Sequence, residues 1–241
     1  LWDLEAQQSG REVWELAGLA SVKPLITTFT MGADDPEKMA QGARNFAQAR
    51  ALKMKLTGDL DLDIARVKAV RGARPDTWLG VDANQGYAVD NLDRLIGTLV
   101  DCKVALLEQP IRRGREADLD GFRSPIPIAA DESALTLADV PGLVGRFNVV
   151  NIKLDTCGGL TEALAIAHEA RRLGLGVMVG NMVGTSLAMA PAFVVGQLCD
   201  IVDLDGPIFL AKDRTPSLTY DRGTVWCGEN VWGAPAHAST T

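Results

Sequence analysis

Three acids each close a short apolar run: Asp82 in Val81-Asp82-Ala83-Asn84-Gln85, Glu108 in Leu106-Leu107-Glu108-Gln109-Pro110 and Asp131 in Ala129-Ala130-Asp131-Glu132-Ser133. A single such acid reads as a solvated strand end. Three in succession offer hard oxygen donors around one point, which suits Mg²⁺ and leaves positions open for a substrate oxygen. Lys53 and Lys55 stand at i and i+2 in Leu52-Lys53-Met54-Lys55-Leu56, so on a strand both face the same side. Burying such a pair is costly without nearby acids or a catalytic task. Mutual repulsion, a metal charge and desolvation are expected to lower a lysine pKa toward the range of a working base. Lys153, in Asn151-Ile152-Lys153-Leu154-Asp155, supplies a third ammonium. Structural salt bridges are the alternative use of these lysines. Asp203 and Asp205 in Val202-Asp203-Leu204-Asp205-Gly206 again share a face. They could hold a second metal, a substrate cation, or only solvent.

These residues need a scaffold that gathers strand ends. Eight short apolar runs qualify as strands: Leu25–Thr30, Ala51–Leu56, Trp78–Asp82, Val104–Glu108, Ile126–Ala130, Val149–Lys153, Gly176–Val179 and Ile201–Asp205. Many lack polar alternation, as strands do when protein covers both faces. Helical patterns lie between them, at Asp59–Ala73, Val89–Cys102 and Leu160–Leu173. Asp34-Asp35-Pro36-Glu37 reads as a helix start with acids at the positive end of its dipole, and Gly158-Gly159 opens another. Alternation suggests a parallel barrel or a doubly wound sheet. From Lys55 through Asp82, Glu108, Asp131 and Lys153 to Asp203, the steps are 27, 26, 23, 22 and 50 residues. A repeat of about 25 residues fits the α/β barrel, whose chemistry gathers where strand C-termini meet one mouth.

Composition narrows the field. With 24 Lys+Arg against 31 Asp+Glu, the net charge is −7, and no basic run suggests nucleic acid or an anionic membrane as a partner. Only His168 and His237 are present, which excludes a His-rich zinc site and disfavours a Ser-His-Asp triad. Proton chemistry therefore falls to carboxylates and lysines. Cys102, Cys157, Cys199 and Cys227 have no C-x-x-C spacing and read as reduced thiols in a cytoplasmic setting. The uncharged run from Leu173 to Cys199 is long enough to span a membrane. Its glycines, Pro191, Asn181 and Gly184-Thr185-Ser186 instead suggest a strand, a loop and a buried helix. Neither a dinucleotide nor a P-loop glycine signature is present, and Gly206-Pro207 leads into no phosphate-binding helix start.

The combined pattern resembles the enolase superfamily, muconate-lactonizing subgroup. The resemblance rests on Lys53-x-Lys55, the acids at 82, 108 and 131, and Lys153, and it covers nearly the whole chain. Asp203-x-Asp205-Gly206-Pro207 and Gly180-Asn181-Met182-Val183-Gly184-Thr185-Ser186-Leu187-Ala188 are similar to the dipeptide epimerases of that subgroup, those acting on L-Ala-D/L-Glu above all. The resemblance implies a modified (β/α)7β barrel. It implies Mg²⁺ held by Asp82, Glu108 and Asp131, with Asn84 supporting the metal shell. Lys55 and Lys153 would exchange a proton on opposite faces of the α-carbon through an enediolate, stabilised by Mg²⁺ and Lys53. Asp203 and Asp205 would pair with a dipeptide's ammonium, and Thr30 and Met182 would line the substrate. A homo-oligomer working in murein peptide recycling is implied as well.

Members of the family carry an N-terminal capping domain. Leu1-Trp2-Asp3-Leu4-Glu5 resembles the helix that follows it, so the expected division is 1–24 as a linking helix, 25–210 as the barrel and 211–241 as a segment returning toward the cap. A barrel without its cap is expected to be weakly active, since closure excludes water. The tail from Gly223 has no evident closing helix. Three other uses share the core residues: N-acylamino acid racemase, cycloisomerase and o-succinylbenzoate synthase. A non-catalytic truncated barrel is the reading from a different class.

Overall fold

A computed structural model describes residues 1–235; His237 and the rest of 236–241 lie outside the described residues. Eight parallel strands form one sheet in sequence order: β2 (Thr28–Met31), β3 (Ala51–Lys55), β4 (Trp78–Asp82), β5 (Leu106–Glu108), β6 (Ile128–Ala130), β7 (Val149–Lys153), β8 (Gly176–Gly180) and β9 (Ile201–Val202). Helices α3 (Pro36–Asn45), α4 (Leu60–Ala73), α5 (Val89–Asp101), α7 (Leu160–Arg172) and α8 (Ser186–Gly196) follow β2, β3, β4, β7 and β8. Short 3₁₀ turns at Glu116–Leu119 and Leu137–Leu143 stand where helices would follow β5 and β6. This is the α/β barrel that the spacing suggested, in the (β/α)7β form that the resemblance implied. Pro36 begins α3 directly after Asp35, and the Asp59 side chain caps α4 by accepting from the Leu62 N–H at 3.1 Å.

Alternation along the strands sorts the barrel interior into layers. Trp78, Leu106, Ala129, Val149, Met178 and Ile201 pack together as an apolar plug at its base. Two residues further along those strands stand Gly80, Glu108, Asp131, Asn151, Gly180 and Asp203, on the same face. Gly80 is glycine because a Cβ there would lie 2.8 Å from the Trp78 ring. The larger core lies outside the strands, against the helices. The uncharged run from Leu173 resolves into β8, a loop and the 11-residue α8; no helix among the described residues is long and apolar enough to cross a membrane.

Two expectations are corrected. The first strand does not run from Leu25 to Thr30. Leu25–Ile26 is a separate strand, β1, pairing antiparallel with β11 (Thr224–Trp226), which forms a hairpin with β10 (Thr219–Asp221). The chain switches sheets at Thr27, whose N–H donates to Gly223 O at 3.1 Å. The tail thus closes with a hairpin rather than a helix. The linking segment 1–24 also does not form one helix. Gly10 adopts φ 69° and separates α1 (Trp2–Ser9) from α2 (Val13–Leu16). Both lie against the tail, through Asp3 to the Gly233 N–H and Val13 N–H to Gly233 O.

No backbone ladder joins β9 to β2 among the described residues. Side chains close the barrel instead. Thr28 Oγ1 donates to Asp203 at 2.5 Å, the Thr30 N–H donates to Asp205 at 2.5 Å, and the Leu204 N–H donates to Thr27 Oγ1 at 2.9 Å. Thr28→Val keeps the shape and removes one partner of a buried carboxylate. It is expected to lower unfolding stability by about 1–3 kcal/mol. Urea denaturation checks this; an unchanged midpoint would show that the threonine does not secure the seam.

Candidate active site and metal centre

Strand register brings the chemistry-bearing residues to one level. Thr30 pairs with Lys53, Lys55 with Asp82, and Asp82 with Glu108. Ligand oxygens of Asp82, Glu108 and Asp131 all lie within 4.8 Å of one another, and all three side chains are buried. Burial, reinforced by the charge of Asp82 and only partly offset by Lys53, drives the Glu108 carboxyl up to about 8. Glu108 Oε1 accepts from Asn151 at 2.7 Å, while its Oε2 is buried without a hydrogen-bond partner. Three converging carboxylates, one with a buried oxygen that takes no hydrogen bond and meets only the Lys53 ammonium at 3.4 Å, fit a hard divalent cation such as Mg²⁺. Among the described residues this is the one group of three or more such ligands, and Asp203 and Asp205 belong to no group of that size.

The lysines enter this ring from two sides. Lys55 Nζ lies 2.6 Å from Asp82, and Lys153 Nζ lies 2.5 Å from Asp131. Lys53 binds Asp203 directly and lies 3.4 Å from Glu108. Without the charge of a metal, which the expectation of lowered lysine pKa values included, Lys53 and Lys153 are shifted the other way. Burial alone would lower both, but the surrounding acids outweigh it and raise both: Asp203, Glu108 and Asp82 for Lys53, Asp131 and Glu108 for Lys153. Acids outnumber lysines here, which the repulsion argument did not count.

A cleft of about 190 Å³ opens above the lysines. Lys53, Lys55 and Lys153 line it together with Asp203, Asp205, Thr30 and Met182. Met182 is exposed at its rim beside Val183 and Phe209. The two aspartates differ in availability. Asp203 is engaged by Lys53 and Thr28, and those bonds outweigh its burial and hold it below the usual carboxylate range. Asp205 takes the Thr30 N–H, yet burial and then the charge of Asp203 push it up to about 6. Asp205 is therefore the member of the pair with charge left to offer a cation.

Asn84 is exposed, and it supports Asp82 through its backbone N–H at 2.9 Å. Asn84 and Gln85 both adopt left-handed conformations, φ 42° and 64°, which turn the chain back toward Asp82. Two supporting amides escaped the sequence reading. Gln109, fully buried, accepts from the Asp131 N–H at 2.9 Å and donates to Ser133 Oγ at 2.9 Å. Asn151 holds Glu108 and relies on Gly180, where a Cβ would lie 2.6 Å from its Oδ1. Asn151 stands two residues before Lys153, so strand alternation was the available signal. Glu132, beside Asp131, is half-buried with Oε2 unpartnered, and burial raises its pKa.

A parallel barrel bearing a carboxylate triad and opposed lysines at its mouth defines a class: metal-dependent enzymes working beside a carbon acid. The family described as "Enolase C-terminal domain-like" matches residues 37–225. Over 240 residues the chain is 40% identical to N-acetyl-D-glutamate racemase of a Pseudoalteromonas species, covering 99% of this chain and 75% of that protein. Over 225 residues it is 41% identical to L-Ala-D/L-Glu epimerase of Escherichia coli (strain K12), covering 93% and 70%. The crystal structure of a dipeptide epimerase from Enterococcus faecalis V583, complexed with Mg and L-Leu-L-Tyr, superposes with a TM-score of 0.89 at 30% identity, covering 97% and 68%. The chain belongs to the enolase superfamily, and it is an isomerase of the epimerase and racemase kind with Mg²⁺ as its cofactor.

Proposed function

We propose that this protein epimerises a dipeptide of the L-Ala-D/L-Glu type at the α-carbon of its C-terminal residue. The observation that carries this reading is the joint lining of one cleft by Lys55, Lys153 and Asp205, next to the carboxylate triad. Asp82, Glu108 and Asp131 would hold Mg²⁺, and the cleft next to them would receive the substrate's α-carboxylate. When bound, Mg²⁺ supplies positive charge that offsets the three acids, easing both the charge developing on the substrate and the grip of the acids on the lysine protons. Lys55 and Lys153 face the α-carbon from opposite sides; one Nζ takes its proton and the other Nζ returns one on the other face. Lys53, fixed by Asp203, presents a permanent positive charge to the carboxylate. Asp205 receives the dipeptide's ammonium, with Thr30 and Met182 along the substrate.

N-acylamino acid racemisation is the nearest alternative. It is disfavoured by Asp205, because a buried carboxylate in the cleft suits an ammonium and not a neutral acetamide. The four free thiols fit a reducing cytoplasm, where the reaction would serve murein peptide recycling. The resemblance supports a homo-oligomer.

Proton NMR of L-Ala-L-Glu in D₂O with Mg²⁺ tests the reading. It predicts loss of the Glu α-proton signal and growth of the L-Ala-D-Glu diastereomer; exchange confined to N-acetylglutamate would replace dipeptide epimerisation with the racemase reaction. Lys55→Met or Lys153→Met is expected to slow epimerisation at least about 10³-fold, or roughly 4 kcal/mol of barrier. Undiminished exchange on both diastereomers in either variant would refute two-base transfer. The pH dependence follows from Asp205. Its carboxyl is protonated below about 6 and then offers no charge to an ammonium. KM for the free dipeptide should rise as pH falls through that value, while any turnover of the N-acetylated dipeptide keeps its KM. Parallel KM profiles for the two substrates would remove Asp205 from the ammonium site.

A further inference from the structure

We propose that Asp63 is a positioning residue for Lys55, locking the loop after β3 to the loops on either side; this rests on the reading of Lys55 as one of two proton-transferring lysines. Asp63 lies in the first turn of α4 and is fully buried. Its carboxylate accepts from the Thr57 N–H and the Gly58 N–H, each at 2.9 Å. It also accepts from Thr57 Oγ1 at 3.2 Å, Tyr87 OH at 2.6 Å and Arg66 Nη1 at 2.7 Å. Capping α4 does not require this arrangement, since Asp59 already caps the helix. A buried ion pair by itself is weak evidence for stability. Here the pair fixes direction.

The bonds cross between loops. Arg66 Nε donates to Asp34 O at 2.7 Å, in the turn after β2. Thr57 and Gly58 follow β3, and Tyr87 belongs to the loop after β4. One Asp–Arg pair thus ties together the turns that follow Thr30, Lys55 and Asp82. The loops after β3 and β4 also meet backbone to backbone. Gly58, at φ 86°, has no room for a side chain, because a Cβ would lie 2.6 Å from Gly86 O. The Leu56 N–H donates to Asp82 O at 2.8 Å. Burial, then the bond to Asp63 and its charge, raise the Tyr87 phenol, so it remains a donor across the working pH range.

Lys55 begins two residues before this anchor, and its side chain is partly exposed at 31%. Its long stem has freedom that Lys53, sealed among acids, lacks. Fixing the backbone at Thr57 and Gly58 sets where that stem starts, and Asp82 then sets where it ends. A shift of about 1 Å in such a group costs up to about 100-fold in rate.

The test follows solvent-deuterium exchange at the Glu α-carbon of L-Ala-L-Glu and of L-Ala-D-Glu separately, with Mg²⁺. Wild type, Asp63→Asn and Tyr87→Phe are compared. The equilibrium constant ties the two directions of epimerisation together, so their kcat/KM values fall in step whichever lysine is misplaced. Exchange is not tied in this way. The isomer deprotonated by Lys153 still exchanges when Lys55 is displaced, and its epimer does not. Asp63→Asn is expected to change the ratio of the two exchange rates by about tenfold or more. Tyr87→Phe removes one bond of the five and should shift the ratio the same way by a smaller factor, which decides the matter if Asp63→Asn does not fold. Equal losses for both isomers, or an unchanged ratio in Tyr87→Phe, would overturn the positioning role and leave the two-lysine reading standing. Wild type exchanging neither isomer would overturn that reading, and the proposal with it.

Discussion

Five carboxylates and three lysines converge at the barrel mouth from its strand ends, an excess of two negative charges when all are ionised, among groups that are mostly buried. Burying unbalanced charge is the most expensive feature of the molecule. Its consequences are visible in the acids themselves. Glu108 is driven to about 8 and Asp205 to about 6, in both cases by burial first and a neighbouring carboxylate second. A divalent cation in the triad removes the imbalance. The same imbalance explains why Lys53 and Lys153 hold their protons tightly, against what their burial alone would dictate.

The scaffold serves that constellation at two depths. Below it, the apolar plug from Trp78 to Met178 supplies a dry floor, so field lines from the charged layer are poorly screened. Around it, amides and backbone N–H groups hold each carboxylate in a chosen orientation: Asn151 on Glu108, Gln109 on the Asp131 backbone, Asn84 N–H on Asp82. The barrel seam uses the same currency of buried polar contacts. Asp203 and Asp205 reach across to Thr28 and Thr30 where a backbone ladder is lacking. Closure of the fold and preparation of the cleft are therefore one set of interactions.

Much of this was legible in the sequence because charge stands out against an apolar strand. Lys53, Lys55, Asp82, Glu108, Asp131 and Lys153 each sit where only a functional or paired charge is tolerated, and the interval between them gave the barrel. The supporting residues were not legible. Gln109, Asn151 and Asp63 are ordinary residue types with partners up to 43 positions away, so their roles exist only once the loops are folded together. The split at Thr27 escaped for a related reason: Leu25–Thr30 is one apolar run, and only the distant β11 draws its first half into another sheet. The raised lysine pKa values of the metal-free mouth were not legible either, because they come from acids brought from other strands.

Glu108 carries charge that the metal-free mouth does not balance. Its folded pKa lies above the ordinary carboxylate value, so the unfolded chain gives up this proton first: stability falls as pH rises from 4.5, and the full cost is reached above about 8. The direct measurement is Tm for wild type and Glu108→Gln at about pH 9, in a chelator and then with saturating Mg²⁺. Glu108→Gln is expected to melt above wild type in the chelator, and Mg²⁺ to raise wild type far more than the variant. A variant that melts lower without metal, or an equal Mg²⁺ response in both proteins, would contradict that imbalance.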